Sequence, residues 1–259
     1  MNLKFGIDVP ENVTKLIEEP IDNLAKKPTA SIGKGISSII DLVFMPFQYG
    51  KDKLSVYYQN KLETYKKELI EKEKSIPEDK IEEPDFQTVA VAVENSKYCI
   101  TNDDLRNMFV NLIGNSIHKD KKKFVHPAFA EIIKQMTSID ANVIAQFKYN
   151  ESLPILELRK IDSYSNSYSV IFTNFFIHGG KYKLINDLAK SITNLNRLGI
   201  INISYSKYFT DDRNYNEIIE IANSSCEIFE INSKDMNIQK GIASLTSFGK
   251  EFIDACLPD

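Results

Sequence analysis

Three histidines, three cysteines and a lysine run are the residues of this chain with the most obvious chemical potential. His118 and His126 fall in the stretch HKDKKKFVHPAF, residues 118–129. A tetrahedral zinc site needs three or four His, Cys or carboxylate ligands, commonly as tight pairs such as HxxxH or CxxC. Here seven residues separate the two imidazoles, four of them lysine, and the nearest cysteine is Cys99. That lysine charge repels a divalent cation, so no metal is expected at this stretch. His126 directly precedes Pro127, a residue suited to the first turn of a helix. The imidazole is therefore expected to cap that helix, its ring nitrogen accepting a backbone N–H.

Other chemistries fare no better. KDKKK supplies charge without a GxxxxGK[ST] or GxGxxG beside it, and SIGKGIS at 31–37 lacks the phosphate-loop spacing. There is no GxSxG, no HExxH and no DxDxDG calcium loop. His178 precedes a glycine pair, the signature of a tight turn. The paired carboxylates Asp103/Asp104 and Asp211/Asp212 sit where caps and turns use them. The sequence predicts no catalytic residue, no cofactor and no metal, and hence a protein that is not an enzyme.

The totals set the class of partner. The 259 residues allow one large or two small domains, and a formal charge of −4 argues against a generic nucleic-acid binder. Only Arg106, Arg159, Arg197 and Arg213 offer the guanidinium fork that suits phosphates and guanine edges. Cys99, Cys226 and Cys256 are sparse and never form a CxxC, as buried thiols of a reducing compartment would be. MNLKFGIDVPENV has charge and proline where a secretory signal has its apolar core, so a cytoplasmic location is expected, with membrane association in an active state.

Stepping through the elements, residues 1–30 form an irregular segment punctuated by Pro10, Pro20 and Pro28. Residues 31–50, SIGKGISSIIDLVFMPFQYG, are the most apolar stretch, too interrupted to span a bilayer. Ile36, Ile39, Ile40, Val43 and Phe44 share one face of a helix over about 32–45, with Phe47 beyond Pro46. This is the candidate interaction or membrane face; burial in the core or in a homotypic interface is the plainer use of it. Residues 51–75 predict one long charged helix with a narrow stripe of Leu54, Tyr58, Leu62, Tyr65 and Leu69. Thr101 with Asp104 predicts a capping box ahead of a helix with Leu105, Met108, Phe109, Leu112 and Ile113 inward. Phe129, Ile132, Ile133 and Met136 mark a second helix. Thr137 with Asp140 repeats the capping pattern before a third.

Beyond residue 150 the character changes. YKLINDLAKSITNLNRLG predicts a helix closed by Gly199. Strands are expected in IINISYSKYF, CEIFEIN and IQKGIASL, followed by a closing helix with Phe248, Phe252 and Ile253 inward. The fold class is therefore mainly α (α+β): a helical core over 31–149 and a winged-helix-like module over 150–259 with one or two helices and a small antiparallel sheet. As a nucleic-acid reader that module would use Lys181, Lys183, Lys190 and Arg197, a weak footprint on an acidic chain.

Two stretches carry a family resemblance. LRNMFVNLIGNSIHKDKKKFVHPAFAEIIKQMTSIDANVI resembles the core of the Abi-alpha family of bacterial abortive-infection proteins, in which a helix of the form LxxMxxNLLxxS leads through a charged loop to VHPAFxEIIKQL. Leu105, Met108, Asn111, Leu112, Ser116, Val125, His126, Pro127, Phe129, Glu131, Ile132, Lys134, Gln135, Asp140 and Ala141 carry it. The closing LTSFGKEFIDACL is similar to that family's LTxFGxxFxxAC through Leu245, Thr246, Phe248, Gly249, Phe252, Ala255 and Cys256, and LNRLGII to its LxxLGLI. The resemblance covers roughly 30–257, with 150–235 unaligned. It implies bacterial defence against phage and no catalytic residue; the expected mode is that of a non-enzymatic sensor or effector. The expected partners are a phage or host protein as trigger, a second copy of the chain and a membrane surface met peripherally, ahead of nucleic acid.

Overall fold

The computed structural model describes residues 53–162, 164–165, 167–177, 185–224 and 235–258, preceded by residues 36, 39–41, 43 and 44. The irregular 1–30 segment, Phe47, His178, Lys181, Lys183, Cys226 and the strand expected in CEIFEIN lie outside them. The architecture is mixed, with helices covering both faces of a four-stranded antiparallel sheet.

The helical part is organised around α3 (Asp103–Ser116). Its cap is Asn102, not the expected Thr101: the Asn102 side-chain Oδ1 accepts the N–H groups of Asp104 and Leu105. Asparagine is as good a cap as threonine, and its amide reaches Ser138 Oγ at 2.7 Å, tying two helix starts together. One inward face was expected, yet α3 is buried on nearly all sides from Leu105 to Ser116. It is surrounded by α1 (Lys53–Lys74), α2 (Phe86–Ser96), α4 (Ala128–Lys134), α5 (Ser138–Gln146) and α8 (Ser247–Cys256). The buried Arg106 is stabilised by a fork onto Glu68 at 2.7 and 2.9 Å and by the Ile100 carbonyl at 3.1 Å. In α1 the narrow stripe follows the spacing from Tyr58 onward, with Tyr58 partly buried and Leu62, Tyr65 and Leu69 buried, while the Leu54 side chain lies outside the described ones. Thr137 and Asp140 form a complete capping box at the start of α5.

The sheet runs β2-β1-β4-β3, with β1 (Ser152–Asp162), β2 (Ser167–Phe175), β3 (Ile201–Ser204) and β4 (Met236–Leu245). The long β1–β2 hairpin was not foreseen, and the strand expected over 200–209 is confined to Ile201–Ser204. β1 pairs with β4 from Ser152↔Ser244 to Lys160↔Met236. Alternation along β1 sends Leu153 and Ile155 into the helical core and Leu156 and Leu158 to the opposite face. There Ile218 and Ile221 of α7 (Asn216–Ser224) and the ring of Tyr215 cover them. α6 (Ile185–Arg197) ends as the sequence predicts, at Gly199 with φ +75, and the Ile200 N–H returns to the Leu195 carbonyl at 3.0 Å. One hydrophobic cluster includes Ile40, Phe109, Ile155, Ile192 and Phe252, so it is continuous across residue 150.

Candidate functional site

The apolar face of residues 36–44 is held against α1 and α3. Ile36, Ile40 and Phe44 are buried, one turn apart, while Ile39 and Val43 are partly buried against the same core. The Phe44 ring lies 6.3 Å from that of Tyr58 and 6.2 Å from that of Tyr65. Burial pushes the Tyr58 phenol up to about 12, and its hydroxyl donates to the Lys97 carbonyl at 2.6 Å. On the outer side, exposed Asp41 meets Lys66 of α1 at 2.8 Å. An exposed pair of this kind contributes about 1 kcal/mol or less, so among the described residues apolar contact is the main force on the segment.

Beneath the segment is a crevice of about 210 Å³, walled by Ile36, Ile40, Leu69, Ile113 and Ile117 and rimmed by Asp41, Lys66 and Glu73. Gly114 lines it too, and the Lys72 stem lies so close over that glycine that an added Cβ would meet its Cγ at 2.3 Å.

The two stretches that carry the resemblance meet in space. His126 lies edge-on to Phe248, with ring centres 5.7 Å apart, and Phe129 stacks between Phe248 at 5.0 Å and Phe252 at 5.2 Å. The His126 Nδ1 accepts the Ala128 N–H at 3.1 Å, the capping geometry its place before Pro127 predicts. His118 does the same for Asp120 at 3.1 Å. The LGII turn joins them through Thr246, whose hydroxyl donates to the Gly199 carbonyl at 2.7 Å and accepts the Gly249 N–H at 2.8 Å. Gly249 has to be glycine, because a Cβ there would lie 2.0 Å from the Ile200 oxygen. Asn115, at the end of α3, donates to the Ala255 carbonyl at 2.9 Å. All of these but Asn115 belong to the family-like motifs of the sequence, whose spacing does not show that they interlock.

The remaining candidates are separate from both regions. Lys190 is exposed and paired with Asp187 at 3.1 Å; Arg197 donates to Gln135 at 3.1 Å and to Asn194. Burial pushes the Cys99 thiol up to about 11 and that of Cys256 well above its ordinary value, so neither is a thiolate near neutral pH. Among the described residues no three His, Cys, Asp or Glu side chains converge as metal ligands would, and no helix is long and apolar enough to cross a membrane.

No curated protein matches the chain. A solved structure, that of an uncharacterized protein from the hydrocarbon-degrading marine bacterium Alcanivorax borkumensis SK2, is similar at 13% identity over 52% of this chain and 92% of its own, with a TM-score of 0.30. The family model described as abortive infection alpha matches residues 57–256, starting within α1 and running through α8. It therefore includes the sheet and leaves the 36–44 segment upstream. With most of its length matched, the chain belongs to the abortive infection alpha family.

Proposed function

We propose that this protein is a non-enzymatic anti-phage defence protein of the abortive-infection type, with segment 36–44 as its releasable effector. Family membership points to abortive infection and phage defence. The observation that favours the effector reading is the seat of Ile36, Ile40 and Phe44, an apolar face closed onto α1 and α3 and flanked by one exposed ion pair. An apolar helix face of this size left open in water would aggregate the protein, so the resting state keeps it covered. A trigger of phage or host origin frees the face, which then engages a membrane surface or a protein. Reading 150–259 as a winged-helix-like nucleic-acid binder ranks lower, since Arg197 is already engaged and Lys190 is paired.

Phage challenge of cells expressing the intact gene tests the defence reading: infected cultures should collapse early with phage yield reduced. Ile40→Lys, in a variant that still melts cooperatively, should abolish both effects. A folded Ile40→Lys variant that protects as well as the unmodified protein would remove this segment as the effector.

A further inference from the structure

Glu73 is an acid in an unfavourable place. It occupies the last turn of α1, where the helix dipole is negative, and it is half-buried on the rim of the crevice beneath segment 36–44. Its carboxylate makes no hydrogen bond or ion pair among the described residues, and burial holds its carboxyl above the ordinary value of 4.5. The other two charges of the rim, Asp41 and Lys66, neutralise each other at 2.8 Å. Among the described residues, one uncompensated negative charge is left beside an apolar pocket.

The pocket itself has the dimensions of a small-molecule site. At about 210 Å³ it exceeds the roughly 150 Å³ dry cavity that takes up benzene. Aliphatic walls with a single charged group at the mouth match an amphiphile of one head and one short apolar body. We propose that this crevice binds a primary amine with an apolar body of about six to eight carbons, the body against Ile36, Ile40, Leu69 and Ile113 and the ammonium on the Glu73 carboxylate. A carboxylate head would meet Glu73 with like charge and find Lys66 already occupied by Asp41. An alcohol head would hydrogen-bond without neutralising the acid. Because Ile36 and Ile40 form one wall, an occupied site favours the docked segment, a consequence that rests on the effector reading above.

Calorimetric titration of the purified full chain with hexylamine, 1-hexanol and hexanoate, each as its own arm, tests the assignment. Hexylamine should bind saturably at one site per chain, at least about tenfold tighter than hexanol, with hexanoate weakest. Glu73→Gln, a same-shape change at a half-buried position, should erase the preference for amine over alcohol and leave hexanol affinity within about twofold. Ile70→Trp, at the mouth of the crevice and 43% exposed in the parent, should weaken all three probes without unfolding the chain. Non-saturable uptake, equal affinity for the three heads, tighter hexanoate, or an amine preference that survives Glu73→Gln would each overturn the proposal. The titration contains no phage and no cells, so its failure and the failure of the defence reading are told apart.

Discussion

The junction of α3, α4 and α8 and the seat of segment 36–44 are both buried and both apolar, yet they are held in different ways. At the junction, direction is fixed by hydrogen bonds: Thr246 to the Gly199 carbonyl and from the Gly249 N–H, and Asn115 to the Ala255 carbonyl. Rings of His126, Phe129, Phe248 and Phe252 fill the space between them. At the seat, among the described residues, Ile36, Ile40 and Phe44 rest on α1 and α3 with Asp41–Lys66 as a polar contact on the rim. Apolar contact is non-directional and is lost gradually as surfaces part, whereas a close-packed, hydrogen-bonded corner has no intermediate arrangement. The difference teaches which region is scaffold and which can be given up without unfolding the rest.

The largest effect should come from Gly249→Ala. The added Cβ would sit 2.0 Å from the Ile200 oxygen, which is held in place by the Thr246 N–H it accepts at 3.0 Å. Relief requires separating α8 from the α6–β3 turn, so a loss of about 3 kcal/mol or failure to fold is expected. Thermal melts and soluble yield read the result. A well-folded Gly249→Ala with an unchanged melting temperature would mean that the junction is soft, and the contrast between the two regions would vanish.

Next in size is a matched pair of truncations. Phe129 and Phe44 are both fully buried, so on burial alone their replacement by alanine should be equally harmful. Phe129→Ala should cost about 3–5 kcal/mol, because its cavity is opened inside a corner that cannot collapse. Phe44→Ala should cost less than half as much globally, since the unseated segment is itself an accessible state. Native-state hydrogen exchange sharpens the same point: amides of Ile40 and Phe44 should exchange through local opening, and those of Leu112 and Phe129 only through global unfolding. Equal losses and equal protection would show one cooperative unit.

Much of this division was written locally in the sequence. The α1 stripe, the Thr137–Asp140 box, the Pro127 start and the Gly199 stop depend on neighbours within a turn or two, and each is found where its spacing put it. The N-cap moved from Thr101 to Asn102 because both are good caps and a distant contact, Ser138, decided between them. The β1–β2 hairpin was missed for a related reason. β1 contains Pro154 and the charged pair Glu157–Arg159, which weaken a strand pattern; the guanidinium is accommodated by Glu157 at 2.7 Å, Gln239 at 3.2 Å and the Tyr168 ring. Gln239 and the rest of β4 lie some eighty positions further along the chain, beyond any local reading. The apolar face at 36–44 was legible as a face, but its seat on Tyr58 and Tyr65 and the crevice with Glu73 were not, since they are made by helices meeting.

The smallest effect separates the two regions by the fate of a carboxylate taken wholly or partly out of water. Beside the junction, Asp140 is 2% exposed and receives the Thr137 N–H at 2.7 Å, the Thr137 hydroxyl at 2.9 Å and the Asn194 amide at 3.3 Å. Beneath the segment, Glu73 receives no side-chain bond among the described residues, and desolvation raises its pKa above the ordinary 4.5. A carboxyl whose folded pKa is raised binds its proton more tightly in the folded chain than in the unfolded one. Its protonated form is therefore compatible with folding, and its ionisation destabilises the fold as pH rises through the raised value. Glu73→Gln keeps the neutral shape at every pH. The variant should therefore melt above the unmodified protein at pH 7, and the gap should narrow as pH falls, closing below about 4.5 where Glu73 is protonated in both states. Paired melts across that range measure it. If the gap is absent at pH 7, or widens toward acid, the Glu73 charge is compensated within the chain, and the crevice would no longer differ from the junction in leaving a half-buried acid without a partner.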